Sequence, residues 1–237
     1  MSVPSLFDGV LLVDKPSGPT SHDIVHKIRK TFRIEKVGHG GTLDPNATGL
    51  LIILLGKGTK LSDRLMGSDK AYSGVMRLGR TTSSQDCDGE TLEEKPWEHV
   101  AREQVEAKMA ELTGDLFQTP PMVSAIKIEG VPLYKLARKG QEVERKPRFI
   151  HVYRFATTEW APPLVTFDVA CTKGTYVRTL AHDIGQAIGC GACLDALRRT
   201  RSGAFSVDDA MPFDDIMQLT PDQLAARVIP LSRAMQS

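Results

Sequence analysis

Residues Val37–Leu55 read VGHGGTLDPNATGLLIILL, and the rest of the chain is organised around them. Gly38, Gly40 and Gly41 permit tight or positive-φ turns and let a ligand approach the backbone closely. Asp44 is the only acid between Glu35 and Asp63. Pro45 confines it to an extended or turn conformation, so its carboxylate is aimed. Thr48 and Gly49 then hand the chain to the apolar run Leu50–Leu55, long enough for a buried strand. A stiff loop presenting one carboxylate at the edge of a core is a mounting for a nucleophile or a base. Asp-Pro after glycines is also the composition of a plain turn, and on local residues alone the plain turn is favoured.

Upstream, Gly9–Val13 reads as a short strand that stops at the turn formers Asp14–Pro19. Thr20 or Ser21 can cap a helix with the apolar stripe Ile24, Val25, Ile28 and Phe32, its other face carrying Lys27, Arg29, Lys30 and Arg33. Downstream, Gly56-Lys57-Gly58-Thr59 is no phosphate loop, because Gly58 stands where Ser or Thr must follow the lysine. Thr59 is expected to cap a short helix reaching Met66. Lys70–Leu78 alternates as a strand, with Tyr72 near its start. Thr81–Glu90 reads as a polar, acidic loop lacking the twelve-residue calcium pattern. Arg102–Leu112 has Val105, Met109 and Leu112 at helical spacing. Thr119–Pro147 is Pro-framed, basic and broken by Gly130 and Gly140, with a hairpin strand expected at Ser124–Ile128 and a basic helix at Leu133–Lys139. Phe149–Thr157 and Leu164–Cys171 read as two strands joined through Pro162-Pro163. Thr175 is expected to cap a helix with Val177, Leu180, Ala181, Ile184 and Ile188 inward, ended by Gly189 and Gly191. Arg178 falls in its first turn, where a cation gains nothing from the helix dipole. Val207–Ala226 is acidic and helical in pattern.

At 237 residues the chain can build one ample core, and 41% hydrophobic with 25% charged residues is ordinary for a soluble protein. No apolar run spans a bilayer, and the N-terminus lacks a basic segment before an apolar one, so a cytoplasmic location is expected. Four cysteines are too few for a disulfide scaffold. Cys190-Gly-Ala-Cys193 has CxxC spacing, but only His182 stands nearby as a further zinc ligand, so a packed turn is the favoured reading. The net charge of +1 does not announce a polyanion partner. Its distribution is uneven: His26–Lys36 holds five basic residues against one acidic, Ser124–Arg154 eight against three, and Gln85–Glu98 one against six. Such segregation can steer a polyanion to one side.

The run GHGGTLDPNATG at residues 38–49 resembles the catalytic-loop motif of the TruB-type tRNA pseudouridine synthases, in which the Asp is essential. That motif is long and specific. Four further segments match: DKPSGPTS at 14–21, SDKAY at 68–72, CTKGTYVRT at 171–179 and LDALRRTRSG at 194–203. The resemblance runs from about Gly9 to Leu231. It implies a mixed α/β (α+β) catalytic domain over 8–233, with a largely antiparallel central sheet flanked by helices and an inserted, RNA-clamping thumb at about 119–148. Many family members continue into a PUA-type domain, and none is expected here.

The same resemblance implies isomerisation of uridine 55 in the TΨC loop of tRNA, without metal or cofactor. The base must leave its stack, at a cost of roughly a few kcal/mol. Asp44 matches the catalytic carboxylate, Arg178 the arginine paired with it, and Tyr72 the ring that stacks on the target base. Leu197 matches the apolar residue under that base, and His39 the residue that props the loop. Lys15, with Pro16, supports the wall of the site. Lys127, Lys135, Arg138 and Lys139 in the thumb, and Arg199, are candidate RNA contacts. Whether Asp44 attacks C1′ or C6, or removes the 2′-proton, stays open. The expected partner is the T-arm of tRNA, with no membrane and no obligatory protein, and the protein is expected to be a monomer. The alternatives are the catalytic subunit of an RNA-guided H/ACA particle, an RNA-binding module without chemistry, and a glycoside hydrolase, which would want a second carboxylate.

Overall fold

A computed structural model describes residues 6–124, 127, 128, 130–133, 141 and 143–235, with the backbone alone for 127, 128, 131 and 132. The chain divides into two compact units, one made of Met1–Tyr72 with Leu197–Ser237 and the other of Ser73–Ala196. The dividing points fall inside the strands Lys70–Leu78 and Ala192–Ser202.

In the first unit, strand Gly9–Lys15 runs antiparallel to Thr48–Leu55 along its whole length, from Gly9 opposite Leu55 to Lys15 opposite Gly49. Val37–His39 also pairs antiparallel with Thr48–Leu55. Arg198 and Arg199 pair in parallel with Thr48 and Gly49. The continuous apolar run has a simple cause, which is that both faces of its strand are covered. Leu51, Ile53 and Leu55 join Leu11, Val13 and the helix residues Ile24, Val25 and Ile28 in one cluster. Leu50, Ile52 and Leu54 join Val10, Leu12, Leu65, Phe205 and Ala234 in the other. Helix Ser21–Thr31 begins with a capping box: Thr20 accepts from the Asp23 amide while Asp23 accepts from the Thr20 amide.

In the second unit the strand order is Lys70–Leu78, Leu164–Cys171, Arg148–Ala161, Gly114–Gln118. Leu164–Cys171 alternates, burying Val165, Phe167, Val169 and Cys171. Helix Arg102–Glu111 buries Val105 and Met109, and helix Val177–Ile188 buries Val177, Leu180, Ala181 and Ile184. Across both units the fold is mixed α/β on largely antiparallel pairing, the architecture expected from the sequence. No described helix is long and apolar enough to cross a membrane.

Three local expectations are corrected. Tyr176, not Thr175, precedes helix Val177–Ile188, and the Thr175 hydroxyl instead donates to the Thr172 carbonyl. Thr59 lies inside a 3₁₀ turn, Gly56–Leu61, and Leu61 leads into the helix Ser62–Met66. Val207–Ala226 does not form one helix: Pro212 and Pro221 each open a new short one, at Phe213–Ile216 and Pro221–Arg227. In the expected thumb, Lys127–Ile128 pairs with Val131–Pro132 as a minimal hairpin. Lys135, Arg138, Lys139 and the Lys127 side chain lie outside what is described.

Candidate active site

The loop between Val37–His39 and Thr48–Leu55 is held by its backbone almost residue by residue. Lys15 is 0% exposed. Its ammonium donates to the carbonyls of Pro45 at 2.7 Å, Ala47 at 2.7 Å and Pro16 at 2.9 Å. Ser21 takes both polar groups of Leu43: its hydroxyl donates to the carbonyl at 3.0 Å and accepts from the amide at 2.9 Å. The Gly18 amide donates to the Pro45 carbonyl, and the Ala47 amide closes a turn on the Asp44 carbonyl at 3.1 Å. Leu43 and Ala47 are buried in the cluster beneath. Between these anchors, Asp44 is exposed. A pinned backbone with a solvent-facing carboxylate is the geometry required of a pre-organised catalytic group.

Arg199 completes the clamp from the other end. It is 2% exposed, and its guanidinium donates to the carbonyls of Gly41 at 3.1 Å, Thr42 at 3.2 Å and Leu50 at 2.8 Å. The family resemblance offered Arg199 as a candidate RNA contact. In the structure its donors are turned inward onto the loop. Arg198 is instead half-exposed and grips Asp14 with two bonds, at 2.9 and 2.7 Å. Gly49 lies opposite Arg199 at φ +95°, and a Cβ there would collide with the Arg199 carbonyl, so only glycine fits.

Two buried cations and one carboxylate share this corner. Burial pushes the Lys15 ammonium down to about 8, the Arg199 charge pushes the same way, and the Asp44 carboxylate opposes both. The unfolded chain keeps this proton until near 10.5, so between pH 8 and 10.5 it binds more protons than the folded one. Lys15 therefore contributes a gain in stability as pH rises through that window. Lys15→Met removes the gain along with three hydrogen bonds. Urea melts should show the variant destabilised at pH 7 and more destabilised, relative to wild type, at pH 10; an equal deficit at both would place the folded pKa near 10.5.

His39 is half-buried at the end of its strand. Burial holds its imidazole below the ordinary value, helped by the charges of Arg199 and His22. The Gly41 amide donates to Nδ1 at 3.3 Å, so the neutral ring carries its proton on Nε2. Tyr72 and Leu197, both half-buried, pack against the same cluster as Leu43 and Ala47. The first unit thus brings Lys15, His39, Asp44, Tyr72, Leu197 and Arg199 onto one loop-and-cluster framework.

Arg178 belongs to the second unit and is 5% exposed. It donates to the Ser84 carbonyl at 3.0 Å, the Val123 carbonyl at 2.9 Å and the Asp86 carboxylate at 3.1 Å. Asp86 thus offsets a buried cation in the first turn of a helix, where the helix dipole opposes one. Gln118 fixes the same turn reciprocally, accepting from the Tyr176 amide and donating to its carbonyl. Asp86 and Ser21 are site-building residues that sequence reading passed over. Asp86 sat in a run of acids typical of a solvated loop, and no local signal pointed 92 residues ahead. Ser21 had a signal, since it stands beside the helix cap.

Comparison with known proteins supports the same family throughout. A model described as TruB family pseudouridylate synthase (N terminal domain) matches residues 29–177. One described as tRNA pseudouridylate synthase B C-terminal domain matches residues 178–236. The chain is 53% identical to tRNA pseudouridine synthase B of Opitutus terrae, over 97% of this chain and 95% of that one. It is 45% identical to the protein of that name from Syntrophotalea carbinolica, over 97% and 75%. It is 48% identical to the one from Geobacter sulfurreducens, over 90% and 70%. Among solved structures, a chain of a Cbf5-Nop10-Gar1 complex is similar with a TM-score of 0.76 and 31% identity, over 97% of this chain and 62% of that one. A chain of an H/ACA RNP bound to a substrate RNA containing 2′-deoxyuridine is similar with a TM-score of 0.72 and 28% identity, over 96% and 60%.

Proposed function

Because the chain belongs to the TruB family of pseudouridylate synthases, we propose that it isomerises uridine 55 in the TΨC loop of tRNA to pseudouridine. The observation that carries the reading is Asp44, exposed on a loop whose backbone is fixed on both sides by buried Lys15, Ser21 and Arg199. The reaction conserves atoms. The C1′–N1 bond breaks, the base turns, a C1′–C5 bond forms, C5 loses its proton and N1 gains one. No group leaves, so the protein's task is to hold a flipped nucleoside while both bonds are exchanged.

Each matched residue has a part. Asp44 supplies the carboxylate that acts on the sugar or the ring, at C1′, at C6 or on the 2′-proton. Arg178 matches the arginine that the family pairs with this carboxylate. Tyr72 stacks on the extruded uracil and Leu197 packs on its other side, replacing stacking lost from the loop. His39, neutral, props the space the base vacates. The thumb lysines and Arg138 contact phosphates, giving a salt-dependent affinity. The enzyme works as a soluble cytoplasmic monomer on free tRNA and recognises the folded loop more than a helical sequence.

Asp86 orients Arg178 in this scheme without touching substrate. Asp86→Asn keeps the side-chain shape but loses the charge. It should lower kcat by about 10²-fold, the scale of a misplaced catalytic partner, with KM for tRNA little changed. An equal loss in both would assign Asp86 to RNA binding.

The likeness to a chain of an H/ACA RNP bound to a substrate RNA favours a second reading, in which the chain acts only inside such a particle. Mapping pseudouridine on an unmodified tRNA transcript, with no other protein or RNA present, separates the two. One modified position, at nucleotide 55, is expected, and substituting cytidine there should leave the transcript unmodified. An unmodified wild-type transcript would favour the guided reading.

A further inference from the structure

The proposed reaction uses none of the four cysteines, yet two of them meet. Cys87 lies in the acidic connection between the paired strands Arg80–Thr82 and Thr91–Glu94. Cys193 lies 106 residues on, in strand Ala192–Ser202. Their Sγ atoms are 3.0 Å apart. The backbone holds them there: the Cys87 amide donates to the Leu194 carbonyl at 2.9 Å, and the Leu194 amide donates to the Gln85 carbonyl at 3.0 Å. The CxxC partner that the sequence offered is engaged elsewhere, since the Cys190 thiol donates to the Gly191 carbonyl. Cys171 is buried in the strand Leu164–Cys171. Among the described residues, no group of three His, Cys, Asp or Glu side chains is placed to hold a metal ion.

We propose that Cys87 and Cys193 form a redox site that a small hydroperoxide oxidises to an intramolecular disulfide. The sulfurs need approach by only about 1 Å to reach bonding distance. The Cys87 thiol donates to the Asp195 carboxylate at 3.3 Å, and the contact with the Cys193 sulfur, burial and that carboxylate all hold the proton on Cys87. The contact with Cys87 and the charges of Arg80 and Arg77 pull the Cys193 thiol down against its burial and the Asp195 carboxylate. With the Cys87 proton held toward the Asp195 carboxylate, Cys193 is the first nucleophile. It attacks the O–O bond of the hydroperoxide: an S–O bond forms, the O–O bond breaks, and the departing oxygen leaves as alcohol or water. Cys87 then attacks the sulfenyl sulfur. The S–S bond forms, the S–O bond breaks, and the hydroxide leaves with the Cys87 proton as water. Two thiols lose two electrons and two protons, and the peroxide is reduced. Cys193 is buried and Cys87 half-buried, so a small oxidant suits the site better than a bulky disulfide. The link fastens the turn whose neighbouring residue, Asp86, holds Arg178.

The test treats the full chain with hydrogen peroxide at about one equivalent, alkylates, and maps peptides by mass spectrometry. A Cys87–Cys193 linked peptide, a fall in free thiols from four to two, and reversal by dithiothreitol are expected. Cys87→Ser should form no link and should leave a sulfenic acid on Cys193 that dimedone traps. A Cys190–Cys193 link would overturn the proposal, as would four surviving thiols or over-oxidation of Cys193 with no linked species. Because the readout is thiol chemistry, its failure would leave the tRNA reading untouched.

Discussion

Asp44→Asn is expected to keep the fold of its loop and to bind tRNA, yet to form pseudouridine about 10³-fold more slowly or worse. The first expectation follows from where the loop's bonds lie. Lys15, Ser21 and Gly18 grip the backbone of residues 43, 45 and 47, none through the Asp44 side chain. The amide keeps the carboxylate's shape and abolishes its charge. One side effect has a sign: the carboxylate raises the Lys15 pKa, so the variant's lysine titrates below its present value of about 8. Asp44→Glu keeps the charge and lengthens the arm on a loop that cannot retreat. A displacement of about 1 Å should cost about 10²-fold. Full activity in the Asn variant would move the chemistry to another group.

Arg199→Leu has the largest expected effect on folding, about 3–5 kcal/mol, because three carbonyls, that of Leu50 fully buried, lose their donor at once. For a protein of this size that is roughly 6–20 °C in melting temperature. Arg199→Lys should recover a minority of the loss, since an ammonium cannot span three carbonyls with a planar fork. Activity should fall more steeply than stability, because Gly41 and Thr42 lead directly into Asp44. A variant as stable as wild type but weaker in tRNA binding would return Arg199 to the RNA-contact role that the sequence first suggested.

Arg199 also shows where sequence reading reaches its limit. Three arginines in ALRRTRS look alike as charge, but in a strand neighbours face opposite ways. Leu197 was matched to the site, and Arg199, two residues on, shares its face by that alternation. That much was legible. Its partners, 149 to 158 residues away, were not. The Asp44 loop was legible for the opposite reason. Its glycines, the Asp-Pro step and the apolar run are local signals, and the structure adds only what grips them. Helix Ser21–Thr31 and the strand Lys70–Leu78 were equally local. The Thr175 cap failed on a matter of one residue, where Tyr176 needs no side-chain cap because Gln118, 58 residues back, serves its amide. The region after Val207 was misjudged because helical spacing was weighed above two prolines. The Cys87–Cys193 pair was hidden by a better-spaced decoy, Cys190.

The measurement that tests the central claim most directly is single-turnover release of tritium from C5 of uridine 55. It uses unmodified tRNA, pure enzyme in excess, and no added partner. Release approaching one equivalent per tRNA with the wild type, and none with Asp44→Asn at saturating binding, is the predicted result. Tight binding by the wild type without release would contradict it.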